Sequence, residues 1–212
     1  LYYQPQMHRD GTLYGCEALL RWNYMGHTFI YPPLVIALAT QGGFADELGL
    51  SIVSIACRDM KKADQEIGHP VPFSVNILPL QLEDPGFAEK VKDILGEMHV
   101  EGRYLTIELT EQVALNPGPN LERQLEKLRE SRVRISMDDF GMGHGSLNYL
   151  NSAHYDEVKI DGSLIRRLPE HTQTCELVGN IMNMSRILGV NTVAECVETP
   201  EQIQMLEKLG CS

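Results

Sequence analysis

The strongest constraint on the fold is an alternation of short strand-like segments with longer helical segments. Two strand segments open the chain, Tyr2–Met7 and residues 13–20, and the Asp-Gly pair between them is a hairpin signal. Five further strand segments follow, at residues 72–76, 104–108, 133–138, 156–161 and 190–195. Because helical patterns separate these five segments, the sequence predicts an antiparallel hairpin followed by parallel strands with helical crossovers.

Seven strands in this order favour an α/β barrel of the TIM (β/α)8 type. No glycine-rich phosphate-binding fingerprint follows any strand, which weakens the alternative of a dinucleotide-binding Rossmann fold. The eighth strand is then expected beyond Ser212. We expect residues 1–212 to form one domain, and the lack of an initiator Met suggests a piece of a longer protein.

The helical segments are placed by apolar periodicity and by their end signals. One long helix is predicted over residues 32–62, and another is expected to begin at Asp84-Pro85 and run to residue 98. Leucines mark a third helix over residues 121–128, and a fourth is predicted over residues 176–188. The last helix is expected to begin with a capping box at Thr199 and to end at Gly210.

Charge and cysteine content exclude several classes of protein. The net charge of −11 disfavours binding to duplex nucleic acid, which needs a basic surface. No apolar run approaches the ~20 residues of a membrane span, so we expect no membrane contact from this domain itself. Five widely spaced cysteines without a C-x-x-C pair argue against a zinc site or a disulfide framework. A reducing, cytoplasmic location is the simplest interpretation, with membrane attachment through other parts of a longer protein left open.

Polar side chains recur on the predicted strands, mostly at their carboxyl ends, at intervals of roughly 30 residues, about one βαβ unit. They are Glu17, Asn76, Glu108, Asp138, Asp139, Lys159, Asp161 and Glu195. In a TIM barrel the functional residues stand at these ends, so the fold would gather the group at one mouth. A single carboxylate there is commonly a cap or a solvated loop residue. The coincidence at successive strands argues for a functional site.

Carboxylate and amide oxygens suit hard cations such as Mg²⁺ or Mn²⁺ rather than zinc. The adjacent pair Asp138-Asp139 could bridge or flank two such ions. Two metal ions held ~3.5–4 Å apart can stabilise both the attacking and the leaving oxygen of a phosphodiester. The sequence therefore predicts a two-metal hydrolytic site.

Eight ordered sequence blocks resemble the EAL family of bacterial cyclic di-GMP phosphodiesterases. The blocks are YQP at 3–5, EALLRW at 17–22, VN at 75–76, ELTE at 108–111, DDFGMG at 138–143, KID at 159–161, AECVET at 194–199 and LGC at 209–211. They cover nearly the whole chain. The fold that the resemblance implies is a modified TIM barrel with an antiparallel first strand, in agreement with the hairpin.

The resemblance implies hydrolysis of cyclic di-GMP to linear pGpG with two Mg²⁺ or Mn²⁺ ions. The first ion would be held by Glu17, Asn76, Glu108 and Asp138. Asp138 would bridge to the second ion, whose main other ligand would be Asp139. Glu195 would be either a ligand of the second ion or the general base.

The remaining roles that the resemblance implies concern water, substrate and a loop. Lys159 would orient or polarise the attacking water, and Asp161 would support it. Glu111 would anchor the loop after Asp139. Substrate contacts are implied for three residues, with Arg21 at a phosphate and Gln4 and Leu19 at the guanine nucleotide. A homodimer that packs near the anchored loop is also implied.

The chain departs from the family pattern beside the site. Met142, His144 and Gly145 replace the usual Thr, Tyr and Ser, and Cys196 stands where Gly is usual. Three classes of function stay open. The first is an active phosphodiesterase, the second is a weak or inactive cyclic di-GMP receptor or protein-interaction module, and the third is an unrelated barrel enzyme such as a two-carboxylate glycosidase. A glycosidase has no use for Asn76, the aspartate pair and Lys159 together.

Overall fold

Seven strands form one sheet in the computed structural model, which describes residues 1–26, 28–114, 118–141 and 155–211. The strands are β1 (Tyr2–Met7), β2 (Leu13–Leu19), β3 (Trp22–Tyr24), β4 (Thr28–Ile30), β5 (Phe73–Asn76), β6 (Leu105–Thr110), β7 (Arg134–Phe140), β8 (Glu157–Ile160) and β9 (Asn191–Ala194). The sheet order is β1-β2-β5-β6-β7-β8-β9, and β3 and β4 form a separate two-stranded ribbon. The seven predicted strands are thus confirmed in their predicted sequence order.

Helices follow the strands as the alternation predicts. They are α1 (Pro32–Gly42), α2 (Ala45–Ile67), α3 (Pro79–Leu82), α4 (Phe87–Glu97), α5 (Glu111–Ala114), α6 (Pro119–Glu130), α7 (Gly162–Ile165), α8 (Thr172–Leu188) and α9 (Pro200–Leu209), with a 3-10 turn at Gly102–Tyr104. The capping box of α9 is present, since the Thr199 side chain accepts a hydrogen bond from the Gln202 N–H. Gly210 ends that helix at φ +99°, as expected.

The first two strands form the predicted hairpin. Its turn is closed by hydrogen bonds from the His8 N–H to the Thr12 carbonyl (2.8 Å) and from the Gly11 N–H to the His8 carbonyl (2.9 Å). Neighbouring strands joined by so short a turn run antiparallel, whereas parallel strands need a crossover of a dozen residues or more. The later pairs β2–β5, β7–β8 and β8–β9 are parallel.

Several predicted boundaries were wrong, each for a local reason. The helix predicted over residues 32–62 is two helices, because the chain turns at Gly43 (φ +76°), whose N–H bonds to the Thr40 carbonyl. The Asp84 side chain accepts a hydrogen bond from the Gly86 N–H and so closes a turn, and the helix begins only at Phe87. Helix α8 begins at Thr172 instead of residue 176, and the β3–β4 ribbon was not predicted.

The described residues fall into two compact units. The first comprises Leu1–Gln6, Leu13–Ile107 and Gly118–Arg134. Its helices α2, α4 and α6 pack together around buried side chains that include Met60, Phe87 and Leu128. The buried Gln124 side chain joins α6 to the start of α4, since it accepts from the Ala88 N–H and donates to the Pro85 carbonyl.

The second unit comprises Met7–Thr12, Glu108–Pro117 and Ile135–Ser212. Its core contains Met137 and Phe140 of β7, Val158 and Ile160 of β8, and apolar residues of α7 and α8. These contacts fix the ends of β7 and β8, where the predicted site residues lie. Within the described parts of the chain, no helix is both long and apolar enough to cross a bilayer.

Candidate active site

In the first unit, Glu17 and Asn76 lie on adjacent parallel strands. The register of β2 and β5 pairs Glu17 with Ser74 and Ala18 with Val75, and Asn76 ends β5. The Asn76 amide Nδ2 donates a hydrogen bond to Glu17 Oε1 at 2.9 Å. The Asn76 side chain is exposed. Two of the predicted metal ligands are therefore within hydrogen-bonding distance of each other.

In the second unit, a buried ammonium group is surrounded by carboxylates. The Lys159 side chain is 1% exposed, and its Nζ lies 2.8 Å from Glu195 Oε1, 3.0 Å from Glu108 Oε2 and 3.2 Å from Asp138 Oδ1. Burying an unpaired charge costs several kcal/mol, so these close carboxylates are what permits a lysine here. The cluster as a whole keeps a surplus of negative charge.

The strand register explains why these groups meet. Residues Lys159 and Val193 are partners in the parallel β8–β9 pair, and the Glu195 N–H bonds to the Ile160 carbonyl at 3.2 Å. Glu195 therefore follows the end of β9 directly beside the end of β8. Lys159 lies one residue before that end, and its long side chain reaches the Glu195 carboxylate.

A bulge in β7 brings the two adjacent aspartates together. Between Met137 and Phe140 the register of β7 against β8 shifts by one residue, because Met137 pairs with Val158 and Phe140 with Ile160. In a regular strand, successive side chains point to opposite faces. Here Asp139 has φ +56°, in the left-handed region. A bulge of this kind re-aims side chains and is over-represented next to active sites.

Asp138, Asp139 and Glu195 form an acidic group that could hold a metal ion. One carboxylate oxygen from each residue lies within 4.8 Å of the others. Asp138 Oδ1 is buried and accepts no hydrogen bond from the described residues, and its contact is the ion pair with Lys159. A buried carboxylate oxygen that accepts no hydrogen bond is available to coordinate a cation. Three carboxylates fit a hard oxygen-preferring ion such as Mg²⁺ or Mn²⁺.

Glu111 ties the end of β6 to the segment that follows the aspartates. It is the first residue of α5, directly after Thr110 of β6, and its side chain is buried. Its Oε2 accepts a hydrogen bond from the Gly141 N–H at 3.0 Å. Gly141 has φ +102° and directly precedes residues 142–154, which lie outside the described residues. The contact is of the kind expected for a residue that anchors the start of this loop.

Asp161 occupies a different place from the other carboxylates. Its Oδ1 accepts a hydrogen bond from the Ser163 N–H at 2.8 Å and caps the short helix α7. Of the ion pairs that the described residues make with Lys159, none comes from Asp161. The structure thus shows Asp161 as a cap at the end of β8, two residues after Lys159.

The three predicted substrate residues lie in the first unit. Gln4 on β1 is exposed, and Leu19 at the end of β2 is half-buried. Arg21 is exposed, and its Nη1 donates a hydrogen bond to the adjacent Leu20 carbonyl at 2.9 Å. The guanidinium group therefore keeps most of its donors for solvent or for a phosphate.

The four departures from the family pattern divide into two sets. Met142, His144 and Gly145 fall outside the described residues. Cys196 has φ +54°, a conformation that glycine adopts at little cost, so the family's usual Gly has a physical reason at this position. The Cys196 side chain lies against the Cα of Gly162, where an added methyl group would come within 2.8 Å of Cys196 Cβ. The sequence alone does not indicate a role for Gly162, because its contact with Cys196 depends on the ends of β8 and β9 lying side by side.

A mixed α/β sheet with helical crossovers and an acidic group at the ends of its last strands defines a protein of the TIM-barrel type. The particular family follows from comparison with known proteins. The model of the EAL domain family matches residues 1–212, and the chain belongs to this family.

Relatives with assigned names support the same assignment. The chain is 34% identical over 219 residues to the bifunctional diguanylate cyclase/cyclic di-GMP phosphodiesterase MucR of Pseudomonas aeruginosa. The aligned region covers 100% of this chain and 31% of MucR. It is 31% identical over 215 residues to the cyclic di-GMP phosphodiesterase RocR of the same organism, covering 100% of this chain and 54% of RocR. The chain thus spans much less than the full length of these relatives.

A solved structure establishes the fold. The PaMucR phosphodiesterase in complex with c-di-GMP superimposes with a TM-score of 0.89 at 34% identity, over 99% of this chain and 85% of that one. The predicted fold class, a modified TIM barrel with an antiparallel first strand, is confirmed. The eighth strand beyond Ser212 stays a prediction.

Proposed function

We propose that this domain hydrolyses cyclic di-GMP to linear pGpG with the help of two Mg²⁺ or Mn²⁺ ions. The observation that carries the proposal is the buried Lys159 ammonium in contact with Glu108, Asp138 and Glu195, beside the acidic group of Asp138, Asp139 and Glu195. The names of the EAL relatives MucR and RocR support the choice of substrate.

The ion-holding roles follow from the chemistry of the donors. Asp138, Asp139 and Glu195 would hold one ion through the carboxylate oxygens that already converge. The predicted ligands of the other ion remain Glu17, Asn76, Glu108 and Asp138. When bound, such ions neutralise phosphate charge and activate water at neutral pH.

Lys159 would act on the attacking water and on developing charge. Three carboxylates around its ammonium group favour the charged form, which has three N–H donors and no acceptor. It therefore cannot take a proton from water. Its proposed role is to orient the nucleophile and to offset negative charge in the transition state. Proton removal would fall to a carboxylate, and Glu195 or Asp139 are the candidates because their side chains are the more exposed members of the cluster.

Arg21 is the proposed phosphate contact, with Gln4 and Leu19 beside the guanine nucleotide. The exposed guanidinium group of Arg21 can present two parallel N–H donors to a phosphate. Glu111, through the Gly141 N–H, would hold the start of the loop, and Asp161 would fix the end of β8. The homodimer and the cytoplasmic location also remain proposals.

The test is product analysis. Purified protein is incubated with cyclic di-GMP and Mg²⁺, Mn²⁺ or Ca²⁺, and the products are separated by chromatography. We expect pGpG with Mg²⁺ or Mn²⁺ and inhibition by Ca²⁺, whose longer bonds and higher ligand number disturb a two-ion geometry. Binding without turnover in Mg²⁺ and Mn²⁺ would instead identify a cyclic di-GMP receptor, and turnover of glycosides without metal would identify the third class.

A further inference from the structure

A buried hydroxyl group beside two predicted metal ligands has no role in the proposed reaction. It belongs to Ser74 on β5, a residue that is only 5% exposed. Within the described part of the chain, Ser74 Oγ makes no hydrogen bond. Buried polar side chains nearly always have a hydrogen-bond partner, so an exception points to a bound water or ion. Asp138 Oδ1, which belongs to a predicted metal ligand, likewise accepts no hydrogen bond from the described residues.

The strand register places the Ser74 side chain on the same face of the sheet as Glu17 and Asn76. Glu17 and Ser74 are partners in the parallel β2–β5 pair. Ser74 and Asn76 are two residues apart in one strand, so their side chains also share a face. The hydrogen bond from Asn76 Nδ2 to Glu17 Oε1 at 2.9 Å shows that the two ligands meet on this face. The buried Phe73 and Val75 side chains point to the opposite face.

A third polar group reaches the same part of the sheet from β1. Gly15 precedes Glu17 by two residues on β2, so it lies on the same face and diagonally beside Ser74. A methyl group added to Gly15 would come 3.5 Å from the side-chain oxygen of Gln6. The Gln6 amide oxygen therefore lies over Gly15, where a larger residue would carry its own side chain. Ser74, Glu17 and Gln6 thus border one polar patch of the first unit.

One water molecule satisfies the hydrogen bonds of this patch. A buried water typically makes about three hydrogen bonds to otherwise unsatisfied polar groups. Here it would accept from the Ser74 hydroxyl and donate to the Glu17 carboxylate and to the Gln6 amide oxygen. Ser74 Oγ makes no direct hydrogen bond to Glu17, and a water is the usual link between polar groups that lie too far apart for direct contact.

We propose that Ser74 is a positioning residue for the metal site. Through one water its hydroxyl holds the Glu17 carboxylate in the orientation that this ligand needs toward the ion. Groups that orient metal ligands in this way typically contribute roughly 10–100-fold to metal affinity or activity. This role rests on the proposed function, in which Glu17 and Asn76 hold one of the two ions.

A buried serine with a purely structural role provides the matched control. Ser185 on α8 is fully buried, and its Oγ donates a hydrogen bond to the Ile181 carbonyl at 3.0 Å. Ser185→Ala should lower the unfolding temperature of the metal-free domain and leave its metal affinity unchanged. Ser74→Ala should do the reverse. Its hydroxyl bonds no protein group, so the unfolding temperature without metal should change little while the metal affinity falls.

The experiment measures binding of Mg²⁺ and of Mn²⁺ alone to the purified, chelator-treated domain by calorimetry. The shift of the unfolding temperature with added metal is the second readout. We expect Ser74→Ala to bind both ions about 10-fold more weakly than the unaltered chain. Ser74→Thr, which keeps the hydroxyl, should bind them more tightly than Ser74→Val, which has the same shape without it. In a Glu17→Ala background, Ser74→Ala should cause no further loss, because Ser74 acts through Glu17.

Three outcomes would overturn the proposal. These are equal metal affinity of Ser74→Ala and the unaltered chain, equal affinity of Ser74→Thr and Ser74→Val, and a further full loss in the Glu17→Ala background. Hydrolysis of cyclic di-GMP is scored separately on the same preparations. Metal binding that depends on Ser74 without hydrolysis would support this role and overturn the proposed function. Hydrolysis with an unchanged metal affinity in Ser74→Ala would do the opposite.

Discussion

Lys159 Nζ lies 2.8 Å from Glu195 Oε1, and the two residues stand at the ends of neighbouring parallel strands. The contact joins the candidate proton acceptor to the candidate water-orienting group. It also places the ammonium group beside the acidic group that is proposed to hold metal, because Glu195 belongs to that group with Asp138 and Asp139. Changes at either residue should therefore affect both stability and chemistry.

Replacing Lys159 by Met should lower the hydrolysis rate much more than the affinity for metal. The substitution leaves Glu108, Asp138 and Glu195 without their shared counter-charge, and loss of one partner of a buried pair costs about 3–5 kcal/mol. Divalent ions can replace that counter-charge. Thermal unfolding should therefore show a larger stabilisation by Mg²⁺ in Lys159→Met than in the unaltered chain.

Calorimetric metal titration and single-turnover hydrolysis of Lys159→Met separate the two roles. If the variant loses metal binding first and keeps its rate per loaded site, Lys159 is structural and the proposed mechanism is wrong.

Replacing Asn76 by Ala should abolish hydrolysis and leave the fold intact. The side chain is exposed at the end of β5, so its removal leaves no cavity, but it removes a predicted ligand and the hydrogen bond to Glu17. Asn183→Ala on α8 is the matched control, since that exposed side chain accepts a hydrogen bond from Arg186 at the surface and lies outside the candidate site. Activity assays and unfolding curves of both variants check this, and undiminished Mg²⁺-dependent turnover in Asn76→Ala would remove Asn76 from the site.

Gly162→Ala should destabilise the domain, and Cys196→Gly should rescue it. A methyl group on Gly162 would collide with Sγ and Cβ of Cys196, and the backbone at Cys196 cannot easily shift because it already holds φ +54°. Overpacking of this kind costs typically 1–3 kcal/mol. A double-mutant cycle by urea unfolding should give a favourable coupling between the two substitutions, whereas simple additivity would show that the side chains do not touch.

Tyr3→Phe should weaken the domain at neutral pH and have less effect in acid. Burial raises the pKa of the Asp59 carboxyl group, but hydrogen bonds from Tyr3, Lys62 and Arg58 outweigh this and leave the pKa below its usual value. A lowered folded-state pKa contributes stability above the unfolded pKa of ~3.9, and this contribution is lost as pH falls through the folded value. Because Asp59 is partly exposed, the loss at pH 7 should be only ~1 kcal/mol.

Unfolding free energies of Tyr3→Phe and the unaltered chain at neutral and acid pH give the comparison. A difference that stays constant between neutral pH and pH values below ~4 would mean that the Tyr3–Asp59 bond does not depend on the charge of Asp59.

The strand order could be predicted because hydrophobic patterning and turn chemistry act locally. The hairpin turn at Gly11 and the capping box at Thr199 are recognised from adjacent residues, and both are present. The apolar periodicity that predicts a helix lies after Gly43, and the Gly42-Gly43 pair before it is the local signal that ends the first helix. The Asp84-Pro85 pair is typical of a helix start, and the sequence cannot show that the Asp84 side chain instead accepts a hydrogen bond from the Gly86 N–H in a turn before the helix.

The sequence proposes the residues of the candidate site but not their geometry. The carboxylates could be placed at strand ends from spacing alone. The sequence could not show the bulge at Asp139, which depends on how β7 pairs with β8. It likewise could not show that Asp161 caps α7 instead of contacting Lys159, because both arrangements are compatible with the same spacing.

The most direct test of the account compares hydrolysis of cyclic di-GMP by the unaltered chain and by Asp138→Asn, with product chromatography in Mg²⁺, in Mn²⁺ and in chelator. Asp138 contacts Lys159 and belongs to the acidic group, so it is the residue on which both proposed roles depend. The account predicts pGpG from the unaltered chain with either ion, none in chelator, and none from Asp138→Asn. Intact cyclic di-GMP with both ions, or equal turnover by Asp138→Asn, would contradict it.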